Sequence, residues 1–496
     1  MKYFTNIFVI VLFTVLPLQK SISQQITGKV IDSKTKEALP FVTIQFGENK
    51  GVISNMEGFF TFFSGNINPS QDVTFSNMGY NNKVLTLKEL EKIKEVSLET
   101  AVDQLETVYL TNKFPDAESI MKMVNENLEK NYNSLNVKYK FFSRKTGFLK
   151  TSNTNFEITK SKGFSKSKIQ ESNQQLDELF RKAKNTLPKQ QFIDVLAEVY
   201  VKDPNNVKLN IVKATQLIDE KNTISFEKLS EQATNIILKH LNKDKIYTLK
   251  TGLFTLDDSL SLVNEKKTTI EDKTKVDIDN LKSSTKEILN DYMFEENSML
   301  DFVLNTSIYE YHLENVTNLQ GKLVYIINFQ PKKHRAKYEG KLYISEEDYG
   351  ILQIDYNYAK GKTGEKLNLK LLFGLKFSEN YKKGTIIYKK QNNSYYLYYI
   401  NQEIGRYIYM HRPLKLIENS NRSKKVAFDL MLEGDFFEKF ELLDLSSSPL
   451  DNASFNQVKE AETSQYEILK KYDPSLWKNL NIIEPLEEMK QFRVIE

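Results

Sequence analysis

The sequence predicts an α+β, mainly β protein: an N-terminal seven-stranded β-sandwich, then a larger antiparallel curved sheet interrupted by a helical insert. Three observations carry this. Short alternating apolar runs separated by Gly, Asn and Pro fill residues 25–110, and longer alternating runs with turn signals fill residues 299–433. Between them lies a polar stretch with apolar residues at helical spacing. The composition permits cores of this size, with 40% hydrophobic and 12% aromatic residues in 496. A net charge of +4, from 69 basic and 65 acidic side chains, gives no footprint for nucleic acid. The absence of cysteine excludes disulfides, thiolate metal sites and cysteine nucleophiles.

At the N-terminus, Lys2 precedes the apolar run Ile7–Leu18, which is shorter than a spanning helix and ends near the small residues Ser21 and Ser23. Residues 1–23 are expected to be a secretory signal, which directs the chain to the periplasm or the periplasmic face of an outer membrane. The sandwich is expected over 24–111. Val42, Ile44 and Phe46 alternate onto one face, as do Phe60 and Phe62, with turns at Gly47–Gly51 and Asn55–Gly58.

The order Gly28-x-Val30-x-Asp32, Leu39-Pro40-x-Val42, Gly51, Asn55, Gly58-x-Phe60, Phe75 and Gly79-Tyr80 resembles the carboxypeptidase regulatory-like domain, a transthyretin-like sandwich found in Gram-negative envelope proteins. Asn55 stands where that family more often has Asp. The resemblance implies a packing or interaction module and not a peptidase.

Beyond the sandwich, residues 112–160 are expected to supply a helix capped by Asp116, with Ile120, Met121, Val124 and Leu128 on one stripe, and a strand Val137–Leu149 that joins the main sheet. Residues 161–298 are expected to be the helical insert. One stripe is Phe192, Val195, Leu196 and Val199; another is Phe226, Leu229, Ala233, Ile236, Ile237 and Leu241. The antiparallel sheet is expected over 299–440 and a C-terminal tail over 441–496. Tyr338–Ile344, Asp348–Leu352 and Ile354-Asp355 resemble the sheet of an uncharacterised periplasmic group, and the strand–turn–strand pattern is similar to LolA/LolB-type lipoprotein carriers. A 22-stranded transporter barrel, at about 10 residues per strand plus loops, needs more chain than follows the sandwich.

No catalytic constellation emerges. The third residue after each of His240, His312, His334 and His411 is Lys243, Asn315, Lys337 or Leu414, so a His-x-x-Glu zinc motif is missing. Gly361-Lys362-Thr363 lacks the first glycine of a phosphate loop, and Gly163–Ser167 fails the nucleophile-elbow pattern. Asp257-Asp258 and Asp277-x-Asp279 lack the glycine and closing glutamate of a calcium loop. No enzyme activity, cofactor or metal is therefore expected. The candidate interaction residues are Tyr396, Tyr398, Tyr407 and Tyr409, with alternation setting Tyr396 and Tyr398 opposite Tyr395 and Tyr399, and the basic loop residues Lys332, Lys333 and Arg335. The expected partner is an envelope protein, glycan or lipid component, with peripheral membrane association. The function expected is a non-catalytic binding or assembly module; the alternatives are a carrier of a lipid or acyl chain in a curved-sheet cavity and an uncharacterised hydrolase.

Overall fold

The computed structural model describes residues 25–493 apart from 48–49, 65–66, 102–114, 133–134, 163–164, 187–190, 204, 219–231, 234, 243, 253, 262–274, 295–297, 320, 392 and 421–423. The signal-sequence expectation, and Phe226 and Leu229 of the second helical stripe, lie outside the described residues. The chain divides into two compact units, residues 1–100 with 474–484 and residues 101–473 with 485–496.

In the first unit, β1 (Gln25–Asp32), β4 (Phe59–Phe63) and β7 (Glu95–Leu98) form a three-stranded sheet in the order β4-β1-β7. Four strands, β2 (Thr43–Gly47), β3 (Lys50–Ile53), β5 (Asp72–Ser76) and β6 (Lys83–Thr86), form the second in the order β3-β2-β5-β6. Alternation sends Val30, Val42, Ile44, Phe60, Phe62 and Phe75 into one shared core, where Phe46 stacks on Phe62 at 4.3 Å. The turn before β4 needs Gly58: its φ is +78°, and a Cβ there would lie 2.5 Å from the Val30 carbonyl oxygen.

The second unit is built on a fourteen-stranded sheet. Its edge is the meander β13 (Tyr309–Leu319), β14 (Lys322–Pro331), β15 (Tyr338–Ser345) and β16 (Ile351–Tyr358), all antiparallel. Next come four long strands, β18 (Leu375–Gln391), β19 (Ser394–Glu418), β20 (Lys425–Pro449) and β8 (Val137–Ser161), and then β9 (Gln191–Val201), β10 (Val207–Leu217) and β21 (Glu467–Leu469). The hairpin β11 (Ile246–Thr251) and β12 (Phe254–Ser261) attaches to the far half of β19, and β17 (Lys366–Leu369) attaches to β18. β8 pairs with β20 along its whole length, from Val137 opposite Pro449 to Ser161 opposite Val426. Strands far apart in sequence thus become neighbours in one sheet.

One face of this sheet is filled. The helices Ala117–Asn131, Ile278–Tyr292 and Asp301–Leu304 deliver Ile120, Met121, Val124, Leu289, Tyr292, Phe302 and Val303 onto Ile327, Leu342, Ile354, Ile386 and Ile400. The first of these helices starts at Asp116, whose carboxylate accepts from Ser119 N at 2.7 Å. It is pinned at its end by Asn131, whose amide donates to the Asp348 carbonyl at 2.9 Å, and by Tyr132, whose hydroxyl donates to the Ile351 carbonyl at 2.7 Å. Asp277 has a purely structural role as the cap of the second helix, accepting from Asn280 N at 3.0 Å.

Two expectations are corrected. Residues 161–298 are not a wholly helical insert, since β9 to β12 lie within them, and the Phe192–Val199 stripe belongs to β9. Nor does a tail begin at 441. That boundary falls inside β20, Glu467–Leu469 adds a parallel strand beside β10, and 474–484 belongs to the first unit.

Candidate functional site

The basic residues and the tyrosines do not converge. Lys332, Lys333 and Arg335 are exposed on the turn between β14 and β15, where the Lys332 and Lys333 amides donate to the Ile308 carbonyl and Lys362 Nζ donates to the His334 carbonyl. The tyrosines are on β19, and β15, β16 and β18 separate it from β14 in the strand order.

Within the tyrosine-rich strand, alternation fails at a β-bulge. Ile387 and Tyr388 are consecutive on β18, but their partners are Tyr399 and Leu397, which leaves Tyr398 as the extra residue. Tyr395, Tyr398 and Tyr399 are buried and Tyr396 is packed against the core, so these rings do not present an open surface. The Tyr399 hydroxyl donates to Glu441 at 3.1 Å. Beyond the bulge, Tyr407 donates to Glu433 at 2.5 Å, and Lys370 Nζ sits 4.0 Å over the buried Tyr409 ring.

The residues that do form an exposed surface were not singled out from the sequence. On the half of the long strands beyond β9, Tyr381, Gly405, Phe437 and Phe148 are directly opposite one another across β18, β19, β20 and β8. Phe437 stacks on Phe148 at 5.1 Å. A Cβ on Gly405 would meet Phe437 at 3.0 Å and Tyr381 at 3.1 Å, so the glycine leaves room for the rings to lie over it. All three rings are exposed, Tyr381 by 38% and Phe148 and Phe437 by 36%. Charges of both signs flank the row: Lys383 lies 3.2 Å from Glu403 and Lys145 lies 2.7 Å from Glu438. In a second apolar group, Phe254 of β12 meets Phe373 at 5.3 Å, and Leu256, Leu367 and Leu371 are exposed. The sequence signal available was Gly405 between Ile404 and Tyr407, a glycine in mid-strand where only close approach explains it.

Several polar groups buried in the same unit are paired with one another. Arg144 donates to Asp194 from Nε at 2.8 Å and from Nη2 at 2.7 Å. Burial opposes the guanidinium charge, and the Asp194 carboxylate outweighs it and raises the Arg144 pKa. His240 is buried between two serines, with Nε2 2.8 Å from Ser172 Oγ and Nδ1 3.2 Å from Ser161 Oγ, and burial lowers its pKa. His411 Nε2 is 2.9 Å from Asp429 on the neighbouring strand. At the bulge between β20 and β8, Asp444 accepts from Ser446 N at 3.2 Å, and burial pushes its carboxyl up to about 7. The Tyr139 and Tyr398 hydroxyls, both raised by burial and by Asp444, are buried and make no hydrogen bond. Among the described residues no group of three or more His, Asp or Glu is arranged to hold a metal ion, and no helix is long and apolar enough to cross a membrane.

Residues 26–110 match the model of the CarboxypepD_reg-like domain. No curated protein matches the chain. Among solved structures, a LolA-superfamily protein from Nitrosomonas europaea aligns at 8% identity and a TM-score of 0.20, covering 64% of this chain and 94% of its own. A domain described as an outer membrane lipoprotein-sorting protein, from Vibrio parahaemolyticus, aligns at 8% identity and a TM-score of 0.21, covering 69% and 98%. A DUF1329 family protein from Desulfovibrio piger aligns at 11% identity and a TM-score of 0.19, covering 69% and 98%.

Proposed function

We propose that the protein is a non-catalytic, exported binding or assembly module of the cell envelope, and that the row Tyr381–Phe437–Phe148 engages another envelope protein. The observation that carries this reading is the row itself: three rings aligned across four strands and open to solvent, where folding alone would favour polar side chains. Ion pairs of both signs at its margins suit the polar rim of a protein interface and not an anionic membrane, which selects basic residues only. Export rests on the sequence pattern of residues 1–23. The apolar face that a lipid carrier would need for a chain is occupied by helices, which favours the binding module over the carrier.

The test compares the tagged wild-type protein with a Phe148→Lys/Phe437→Glu variant, an opposite-charge pair across β8 and β20, on detergent-solubilised envelope membranes. We expect a stoichiometric protein partner to be retained by the wild type and lost by the variant, with both melting at the same temperature. Retention of the same partner by both, or recovery of a bound acyl species by mass spectrometry in place of a protein, overturns the reading.

A further inference from the structure

The first unit contains a segment from the other end of the sequence. Residues 474–484 belong to it, although the chain on both sides, Ala101–Asp473 and Pro485–Glu496, belongs to the second unit. Hydrogen bonds fasten the segment to the sandwich. Phe63 N, at the end of β4 on the outer side of the β4-β1-β7 sheet, donates to Asn481 Oδ1 at 3.1 Å. Asn55 Nδ2 donates to the Glu484 carbonyl at 3.2 Å. Trp477, Ile482 and Ile483 are all buried.

Asn55 is itself fully buried, and its side chain has two separate tasks. Its Oδ1 accepts from Glu57 N and Phe59 N, both at 2.9 Å, which shapes the turn into β4. A carboxylate would perform that task equally well, because it too is an acceptor. Only the amide donates, and it donates to the Glu484 carbonyl. An aspartate at this position would set an oxygen against the Glu484 carbonyl.

We propose that the Asn55 turn and the outer edge of β4 form a docking site for a peptide segment, that its occupant is the chain's own Pro474–Glu484 segment, which opens with a 3-10 turn at Pro474–Trp477, and that the Asn55 amide selects it. The sandwich is then a peptide-recognition module satisfied in cis. The contact also covers an edge N–H that would otherwise be open to pairing with other chains.

Trp477 is the sole tryptophan of the chain, so fluorescence excited beyond the tyrosine absorption band reports this segment alone. In the full-length protein, Asn55→Asp is expected to shift the Trp477 emission to the red and to speed chymotryptic cleavage after it by at least about tenfold, the effect of losing one buried hydrogen bond to a group left unpaired. Asn481→Ala, which leaves the turn untouched, is expected to act in the same direction by about threefold. A third protein, full-length with residues 474–484 replaced by a Gly/Ser linker of equal length, is expected to bind a fluorescein-labelled peptide of sequence 474–484 saturably, and at least about tenfold more weakly once Asn55→Asp is added. Unchanged emission and cleavage in Asn481→Ala overturn the proposal, as does failure of the linker protein to bind the peptide. If Asn55→Asp loses the sandwich's own thermal transition, Asn481→Ala and the labelled peptide decide the matter.

Discussion

At the scale of single residues, the buried acid Asp444 makes a clear statement about pH. Its carboxyl titrates near 7, because desolvation at the β20–β8 bulge outweighs the hydrogen bonds from Ser447, Ser446 and Lys140 and the attraction of Lys389. Its charge also raises the pKa of the buried Tyr398 and Tyr139 hydroxyls. A carboxyl whose pKa is higher folded than unfolded binds more protons in the native state between the two values, so stability is greatest below about 4 and falls as pH rises toward 7. Replacing the acid by a neutral isostere removes this penalty. Asp444→Asn is therefore expected to stabilise the protein by up to roughly 4 kcal/mol at pH 8, to leave it little changed at pH 4, and to flatten the dependence between them. Urea unfolding at a series of pH values checks this; a variant with the same slope as the wild type refutes it. The side-chain logic of the site was only partly legible. Tyr407 and Tyr409, named from the sequence, are not members of the exposed row, and Phe148 and Phe437 could not be named, because they are more than 280 residues apart and become neighbours only when β8 and β20 pair.

At the scale of elements, legibility tracks how a strand is buried. β14, β15 and β16 bury chiefly one side, so their alternation is visible, and they occupy the runs expected to be strands. β9 is buried along almost its whole length on both faces, so period two disappears, and Phe192, Val195, Leu196 and Val199 mimic a helical stripe. The polar second half of β8, Lys150–Asn155, carries little apolar signal at all. Asn401, Gln402 and Glu403 interrupt the apolar run of β19, which divides one 25-residue strand into two apparent ones. Close strand approach supplies a test at this scale. Gly340 of β15 pairs with Tyr356 of β16, and a Cβ there would lie 1.9 Å from the Asp355 carbonyl oxygen, a backbone atom that cannot turn aside. Gly340→Ala is expected to cost at least about 3 kcal/mol by forcing the ladder apart. Thermal unfolding within about 0.5 kcal/mol of the wild type would show that the strands are free to separate without loss.

At the scale of the whole molecule, the connectivity determines what holds the second unit together. The sheet is closed by pairing between β8, which comes before the β9–β12 region, and β20, which comes long after it. β11 reinforces this by pairing with β19, from Tyr247 opposite Glu418 to Thr251 opposite Leu414. A cut between β11 and β12 therefore severs the chain without removing any strand from its neighbours on the main path. Gly252 is suited to such a cut: it lies at the hairpin turn with φ +57°, and open space surrounds the position a Cβ would take. With a specific protease site inserted at Gly252, the fragments 1–252 and 253–496 are expected to co-elute as one species in native gel filtration and to separate in denaturant. β1 to β11 reside on the first fragment and β12 to β21 on the second, so co-elution draws on the pairing of β8 with β20, β11 with β19 and β12, and β10 with β21, together with the hold of the sandwich on residues 474–484. Separation of the fragments under native conditions would mean that these ladders do not bind without chain continuity, and the topology described above would have to be abandoned.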